Sequence, residues 1–146
     1  MNNLIHSNLI NNTTLIAVAV LFVLLVLLGS ALLLRQKTYK LDKAKFRTRW
    51  QEVQGLCRKS ETWPLAVINA DKLLDEALKK THCKGRTMGE RLVFAQRRLS
   101  DNDGVWFGHK LRNKIVHEEV PHLQQRDVQS ALQGLRQALK DLGALE

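Results

Sequence analysis

The longest apolar stretch of the chain is the feature that most constrains its fold. No charged residue occurs from Leu15 to Leu34, and only Gly29 and Ser30 in that stretch are not strongly apolar. A helix of this length spans about 30 Å, the hydrocarbon thickness of a bilayer. An amphipathic helix carries a polar stripe, and this stretch has none. The sequence therefore predicts a transmembrane helix over residues 15–34, preceded by a short extracytoplasmic segment, residues 1–14.

A cleaved signal peptide is the competing interpretation of the same stretch. Signal peptides combine a basic N-terminal region, an apolar run of about 7–15 residues and a small-residue cleavage site. Residues 1–14 contain no Lys or Arg, and Leu32-Leu33-Leu34-Arg35 offers no small residue for cleavage. These differences favour a permanent membrane anchor.

The distribution of basic residues predicts the orientation of that anchor. All 23 Lys and Arg residues follow residue 34, and the segment 35–50 is densely basic, opposed only by Asp42. The positive-inside rule then predicts a single-pass protein of the cell membrane, with its N-terminus outside and its C-terminal domain in the cytoplasm. The basic juxtamembrane segment, residues 35–49, is expected to contact anionic membrane lipid. The net charge of +9 is mostly accounted for by this segment, so it is weak evidence for nucleic-acid binding.

The remainder of the chain has the patterning of amphipathic helices. Apolar residues recur at helical spacing in five segments, and no alternating β-pattern occurs. Thr62 is predicted to cap the second helix and Thr87 the third, and the fourth is predicted to begin at Val105. Three residues on the apolar stripes are predicted to be buried: Trp50, Leu74 and Leu135. Each stripe is one-sided, and the connections are short, which favours antiparallel packing. The predicted fold class is all-α: the transmembrane helix followed by a compact bundle of four to five helices over residues 50–143. No cofactor or metal ion is expected, because the sequence has no glycine-rich phosphate loop, H-E-x-x-H or C-x-x-C.

The fourth predicted helix of the bundle carries a polar strip. At 100° per residue, His109, Asn113 and His117 fall along one side. The opposite side carries three apolar residues that are predicted to face the core, Phe107, Leu111 and Ile115. On the second predicted helix, the carboxylates Asp71, Asp75 and Glu76 are expected to be solvated, although Asp71 has the position to face the polar strip.

The motif Arg112-Asn113-Lys114-Ile115-Val116-His117 resembles the R-x4-H signature of HEPN domains, which are small helical bundles. The resemblance covers roughly residues 50–143 and includes the long amphipathic helix before the motif helix. Active members are metal-independent ribonucleases. The resemblance implies that His117 is the general acid/base for attack of a ribose 2′-hydroxyl on the adjacent phosphodiester. It also implies that Arg112 holds the phosphate, that Asn113 orients the phosphate or the histidine, and that a homodimer forms through the motif helix.

Two functions thus remain open from the sequence. The first is an RNA- or nucleotide-binding HEPN-like domain with ribonuclease activity. The second is a non-catalytic helical interaction or dimerisation domain, in which Arg112 and His117 form ion pairs with carboxylates such as Glu118. Placement of Arg112, Asn113 and His117 in an open groove would favour the first, and closed, buried ion pairs the second.

Overall fold

The computed structural model describes residues 15–27, 41–118 and 122–146 of the 146-residue chain. The chain divides into two compact units, residues 1–38 and residues 39–146. In the first unit, residues 15–27 are helical. The predicted segment 1–14, residues 28–34 of the predicted membrane span and residues 35–40 of the predicted basic segment lie outside the described residues.

The predicted transmembrane helix is contradicted by the structure. No helix among the described residues is both long and apolar enough to cross a membrane. The prediction of a transmembrane helix over residues 15–34 is therefore wrong. The predicted single-pass location, with an outer N-terminus and a cytoplasmic domain, depended on that helix and is wrong with it.

The second unit is an all-α bundle, as predicted from the apolar periodicity. It contains five α-helices: α1 Lys43–Leu56, α2 Trp63–Lys80, α3 Met88–Ala95, α4 Asn102–His117 and α5 Gln125–Asp141. Two short 3-10 helices lie between them, at Ser60–Thr62 and Gln96–Arg98. The described residues contain no strand. The first helix begins at Lys43, and Asp42 caps it: the Asp42 side chain accepts a hydrogen bond from the Lys45 backbone N–H at 3.0 Å.

Local capping explains several of these boundaries. The Thr87 hydroxyl accepts a hydrogen bond from the Glu90 backbone N–H at 3.2 Å, which confirms the predicted start of α3. Asp101 caps α4 in the same way through the Gly104 N–H at 2.8 Å, so α4 begins three residues before the predicted Val105. The predicted N-cap Thr62 makes no capping bond, because its hydroxyl donates to the carbonyl of Leu56 instead.

Helix α2 is the centre of the bundle and contacts each of the other four α-helices. Its buried apolar residues lie along most of its length: Ala66, Val67, Ala70, Leu73, Leu74, Ala77 and Leu78. The predicted burial of Trp50, Leu74 and Leu135 is confirmed, with exposures of 7%, 0% and 0%. The core therefore consists of the apolar stripes that the sequence predicts, arranged around α2.

Helix α4 turns a different face to the core from the predicted one. Val105 and Gly108 are its buried residues, whereas Phe107 is 41% exposed and Leu111 and Ile115 are half-buried. The reason is that α4 packs closely against α5, and the contact between these two helices is the most extensive in the bundle. A Cβ added at Gly108 would lie 2.8 Å from the Leu135 Cγ, so only a glycine allows α4 to sit this close with this face inward.

Candidate functional site

A buried carboxylate on α2 is the anchor of the candidate site. Asp71 is only 4% exposed, although it is ionisable. Its Oδ1 lies 2.9 Å from Nδ1 of His109 on α4. Its Oδ2 lies 3.6 Å from Nε of Arg112, one helical turn further along α4. A charge buried this deeply needs such partners, because an isolated carboxylate loses several kcal/mol of hydration.

The side chains of α4 continue this network. Arg112 Nη1 donates to Asn113 Oδ1 at 2.9 Å. The amide nitrogen of Asn113 faces Nε2 of His109 at 3.4 Å. Asp71, His109, Arg112 and Asn113 thus form one connected polar cluster, which we term the α2–α4 cluster. It joins two helices that the chain separates by more than twenty residues.

The α2–α4 cluster forms one wall of a groove of about 750 Å³. We term this cavity the polar groove; its lining residues are Ile68, Asp71, Lys72, Asp75, Arg86, Thr87, Met88, Gly89, Arg91, His109, Arg112 and Asn113. Four of these residues are cationic and two are acidic. The aromatic ring of Trp106 stands edge-on to His109, with ring centroids 6.0 Å apart. The groove therefore combines fixed positive charge with an imidazole and an aromatic neighbour.

A second ion pair, between α2 and α3, also lines the polar groove. Arg91, whose side chain is 7% exposed, donates to Asp75 Oδ1 from Nε at 2.8 Å and from Nη2 at 2.5 Å. Burial by itself would raise the pKa of Asp75. Hydrogen bonds from Lys79 and Arg91, together with the attraction of their charges, outweigh burial and hold this pKa below its ordinary value. Asp75 is therefore ionised at neutral pH and neutralises Arg91. Two other cations of the groove, Lys72 and Arg86, are exposed, and no carboxylate in the described residues forms a salt bridge with the side chain of either. The Glu90 carboxylate does accept a hydrogen bond from the Arg86 backbone N–H, at 2.6 Å.

The structure brings together two of the three predicted site residues. Arg112 and Asn113 line the polar groove, whereas His117 is exposed at the end of α4 and does not line it. In its place, His109 shares the groove with Arg112. The expectation that Asp75 and Glu76 are solvated is wrong, because both are engaged in ion pairs. For Asp71 the alternative is confirmed, because it faces the polar strip and contacts His109 and Arg112.

Asp71 and His109 are not among the predicted site residues, although the sequence carries a signal for Asp71. Asp71 occupies a helical stripe with Val67, Leu74 and Leu78, all of which are buried. An acidic residue in an apolar stripe needs a buried partner. The partner itself could not be identified from periodicity, because it lies on another helix.

Comparisons with protein-family models, with curated proteins and with solved structures gave no match to this chain. Among the described residues, no group of three or more His, Cys, Asp or Glu side chains is arranged to hold a metal ion. The resemblance to HEPN domains accordingly remains a prediction from the residues of the motif.

Proposed function

We propose that the polar groove binds single-stranded RNA at a phosphodiester and cleaves it without a metal ion, in the manner of HEPN-like ribonucleases. The observation that carries the proposal is the placement of Arg112 beside an imidazole in a groove that also holds Lys72 and Arg86. Phosphate recognition requires fixed cations, and strand cleavage requires a group that moves a proton. The groove holds both within one cavity.

Arg112 is the phosphate contact in this proposal. Its Nε faces Asp71 and its Nη1 donates to Asn113, so the guanidinium is held in one orientation. Its side chain is 32% exposed, and no described residue bonds its Nη2. A planar guanidinium with a fixed orientation suits an oxyanion, because little side-chain freedom is lost on binding. Asn113 then acts by orienting Arg112.

Lys72 and Arg86 extend the positive charge toward the neighbouring phosphates. We expect Lys72→Ala and Arg86→Ala each to weaken binding of a fluorescently labelled single-stranded RNA about 3- to 30-fold, as measured by anisotropy at low salt. Each substitution should also reduce the slope of log affinity against log salt by about 0.7, the value for one phosphate contact on a single strand. The full chain should cleave the same RNA in the presence of EDTA.

Arg97→Ala is the matched control for these two variants, because Arg97 is exposed and lies outside the polar groove. It removes the same charge from the molecule. RNA affinity equal in all three variants would show that only net charge matters, and would contradict binding in the groove.

A helical interaction domain is the second candidate function. Two apolar side chains of α4, Phe107 and Val116, are 41% and 45% exposed. At 100° per residue these two side chains lie on opposite sides of α4, so an interface through this helix can include only one of them, and Phe107 is the candidate. Aromatic residues are enriched in surfaces that contact another protein. The occupant in this case is a second copy of the chain, which packs through α4, the motif helix.

A further inference from the structure

His109 is oriented by a buried carboxylate. Its Nδ1 lies 2.9 Å from Asp71 Oδ1, and the two side chains are 12% and 6% exposed. An ionised carboxylate only accepts hydrogen bonds, so Nδ1 carries the proton in this contact. A carboxylate in this position fixes both the tautomer and the ring plane of a histidine, and stabilises the imidazolium that forms when the ring takes up a second proton.

The contact at the other ring nitrogen of His109, Nε2, indicates the same tautomer. Arg112 is a donor only, so the atom of Asn113 that it contacts at 2.9 Å is the amide oxygen. The amide nitrogen of Asn113 therefore faces His109 Nε2, at 3.4 Å. An amide N–H only donates, so Nε2 presents its lone pair. The contact is longer than a strong hydrogen bond, so a substrate hydroxyl that donates to Nε2 can replace it at little cost.

His117 occupies a different place on the same helix. It lies two turns beyond His109, about 12 Å along the axis. It is exposed and is outside the polar groove, whereas His109 lines the groove together with Arg112. A proton-transferring group has to reach the hydroxyl that attacks the phosphate held by Arg112. Of these two histidines, only His109 shares a cavity with Arg112.

We infer that His109, held by Asp71, is the general base of the groove, an assignment that rests on the proposed ribonuclease function. His109 Nε2 takes the proton of the ribose 2′-hydroxyl. The 2′-oxygen then forms a bond to phosphorus while the bond from phosphorus to the 5′-oxygen breaks. The leaving 5′-oxygen takes a proton from water, and His109 returns its proton to solvent. The products are a 2′,3′-cyclic phosphate and a 5′-hydroxyl, and no electrons are exchanged. Arg112 holds the phosphate throughout, and Asp71 is a positioning residue.

The test compares three histidine variants of the full chain. His109→Gln keeps a polar side chain of similar size at this position but cannot take up a proton. We expect it to lower the rate of RNA cleavage by about 10²- to 10⁴-fold, with RNA affinity within about threefold of the wild type. His122→Gln, which removes a histidine from the connection between α4 and α5, is the control and should leave the rate unchanged.

His117→Gln discriminates between the two assignments. If it abolishes cleavage while His109→Gln cleaves normally, this inference is overturned and the proposed function stands. If the wild-type chain binds and cleaves no RNA, both are overturned. A decrease confined to His109→Gln supports both.

Imidazole ¹⁵N spectra of the wild-type chain provide a second measurement that does not depend on a variant folding. They should show His109 with its proton on Nδ1 and its lone pair on Nε2. An RNA that carries a 2′-O-methyl group binds but cannot react, and should shift the Nε2 resonance of His109 and leave that of His117 in place. A proton found on Nε2, or a shift confined to His117, would overturn the assignment even where cleavage is observed.

Discussion

Single ionised side chains inside the bundle are tolerated here because each has a specific partner. Asp71 is buried against His109 and Arg112, and Arg91 is buried against the half-buried Asp75. The loss of hydration of such a charge is offset only if its remaining hydrogen-bond donors or acceptors also find partners. Arg91 satisfies this condition, since its Nη1 also donates to the carbonyl of Gly85 at 2.9 Å. These pairs fix the walls of the polar groove.

The pH dependence of the free energy of unfolding should report the protonation of the Asp75 carboxylate. Because its pKa is lower in the folded chain, the carboxylate binds a proton more weakly when folded than when unfolded. Its stabilising effect is complete above the unfolded value of about 3.9 and is lost as the pH falls through the folded value. We expect the free energy of unfolding of the wild type to fall between about pH 5 and pH 3, and Asp75→Asn to show a smaller fall, in urea titrations at each pH.

At neutral pH the same substitution should destabilise the bundle by roughly 3–5 kcal/mol, because it leaves the Arg91 guanidinium buried without its carboxylate. Glu52→Gln is the control, since Glu52 is exposed on α1 and should keep the wild-type pH dependence. An equal fall in Asp75→Asn and the wild type would show that Asp75 is not the responsible group.

Two helices, α4 and α5, depend on glycine at their crossing. A Cβ added at Gly134 of α5 would overlap the backbone of Gly104 on α4, and a Cβ at Gly108 would lie 3.0 Å from the Ala131 carbonyl oxygen. The backbones can approach this closely only without side chains between them. This contact determines the rotation of α4 about its axis, and hence which of its side chains meet α2.

Gly134→Ala and Gly55→Ala should have opposite effects on stability. At Gly134 the added methyl group has no space, and such overpacking typically costs about 1–3 kcal/mol. At Gly55 in α1 nothing lies within 4 Å of the new Cβ, so the gain in helix propensity should stabilise the bundle by about 0.5–1 kcal/mol. Chemical denaturation of both variants measures the difference. A Gly134→Ala variant as stable as the wild type would mean that the helices do not cross at this point.

At the scale of the whole molecule, the bundle is organised around one central helix, α2, and its outer surface retains exposed apolar side chains on α4. Phe107 is directed outward by the same close packing that places Gly108 inside. The second candidate function depends on this outward face, and the assembly state of the chain is the property that reports on it.

The dimer candidate predicts a concentration-dependent assembly through α4. Phe107→Asp should weaken self-association by at least about 30-fold, because a buried aromatic residue at an interface typically contributes 2 kcal/mol or more. Sedimentation velocity gives the assembly state, and unchanged circular dichroism shows that the variant is folded. Leu65→Asp, at an exposed apolar position on α2, is the control. A wild-type chain that remains monomeric at about 100 µM would contradict the dimer.

The sequence alone determined the positions of the five helices of the bundle, because periodicity and capping are local properties of the chain. Thr87 at the start of α3 and the stripe containing Leu74 are examples. It also placed Arg112 and Asn113 on one helix. Hydropathy alone was insufficient at residues 15–34, where it predicted a membrane span that the described helices do not contain.

Only the tertiary structure decided which side chains meet across helices. The pairing of Asp71 with His109 depends on the rotation of α4, which the contact between Gly104 and Gly134 sets. That contact joins residues far apart in the chain, so no local pattern encodes it. For the same reason, the sequence could place His109 and His117 on one strip but could not show that His109 shares the polar groove with Arg112. Helical spacing fixes the angle between side chains on one helix, and packing against a second helix fixes which of them face a common cavity.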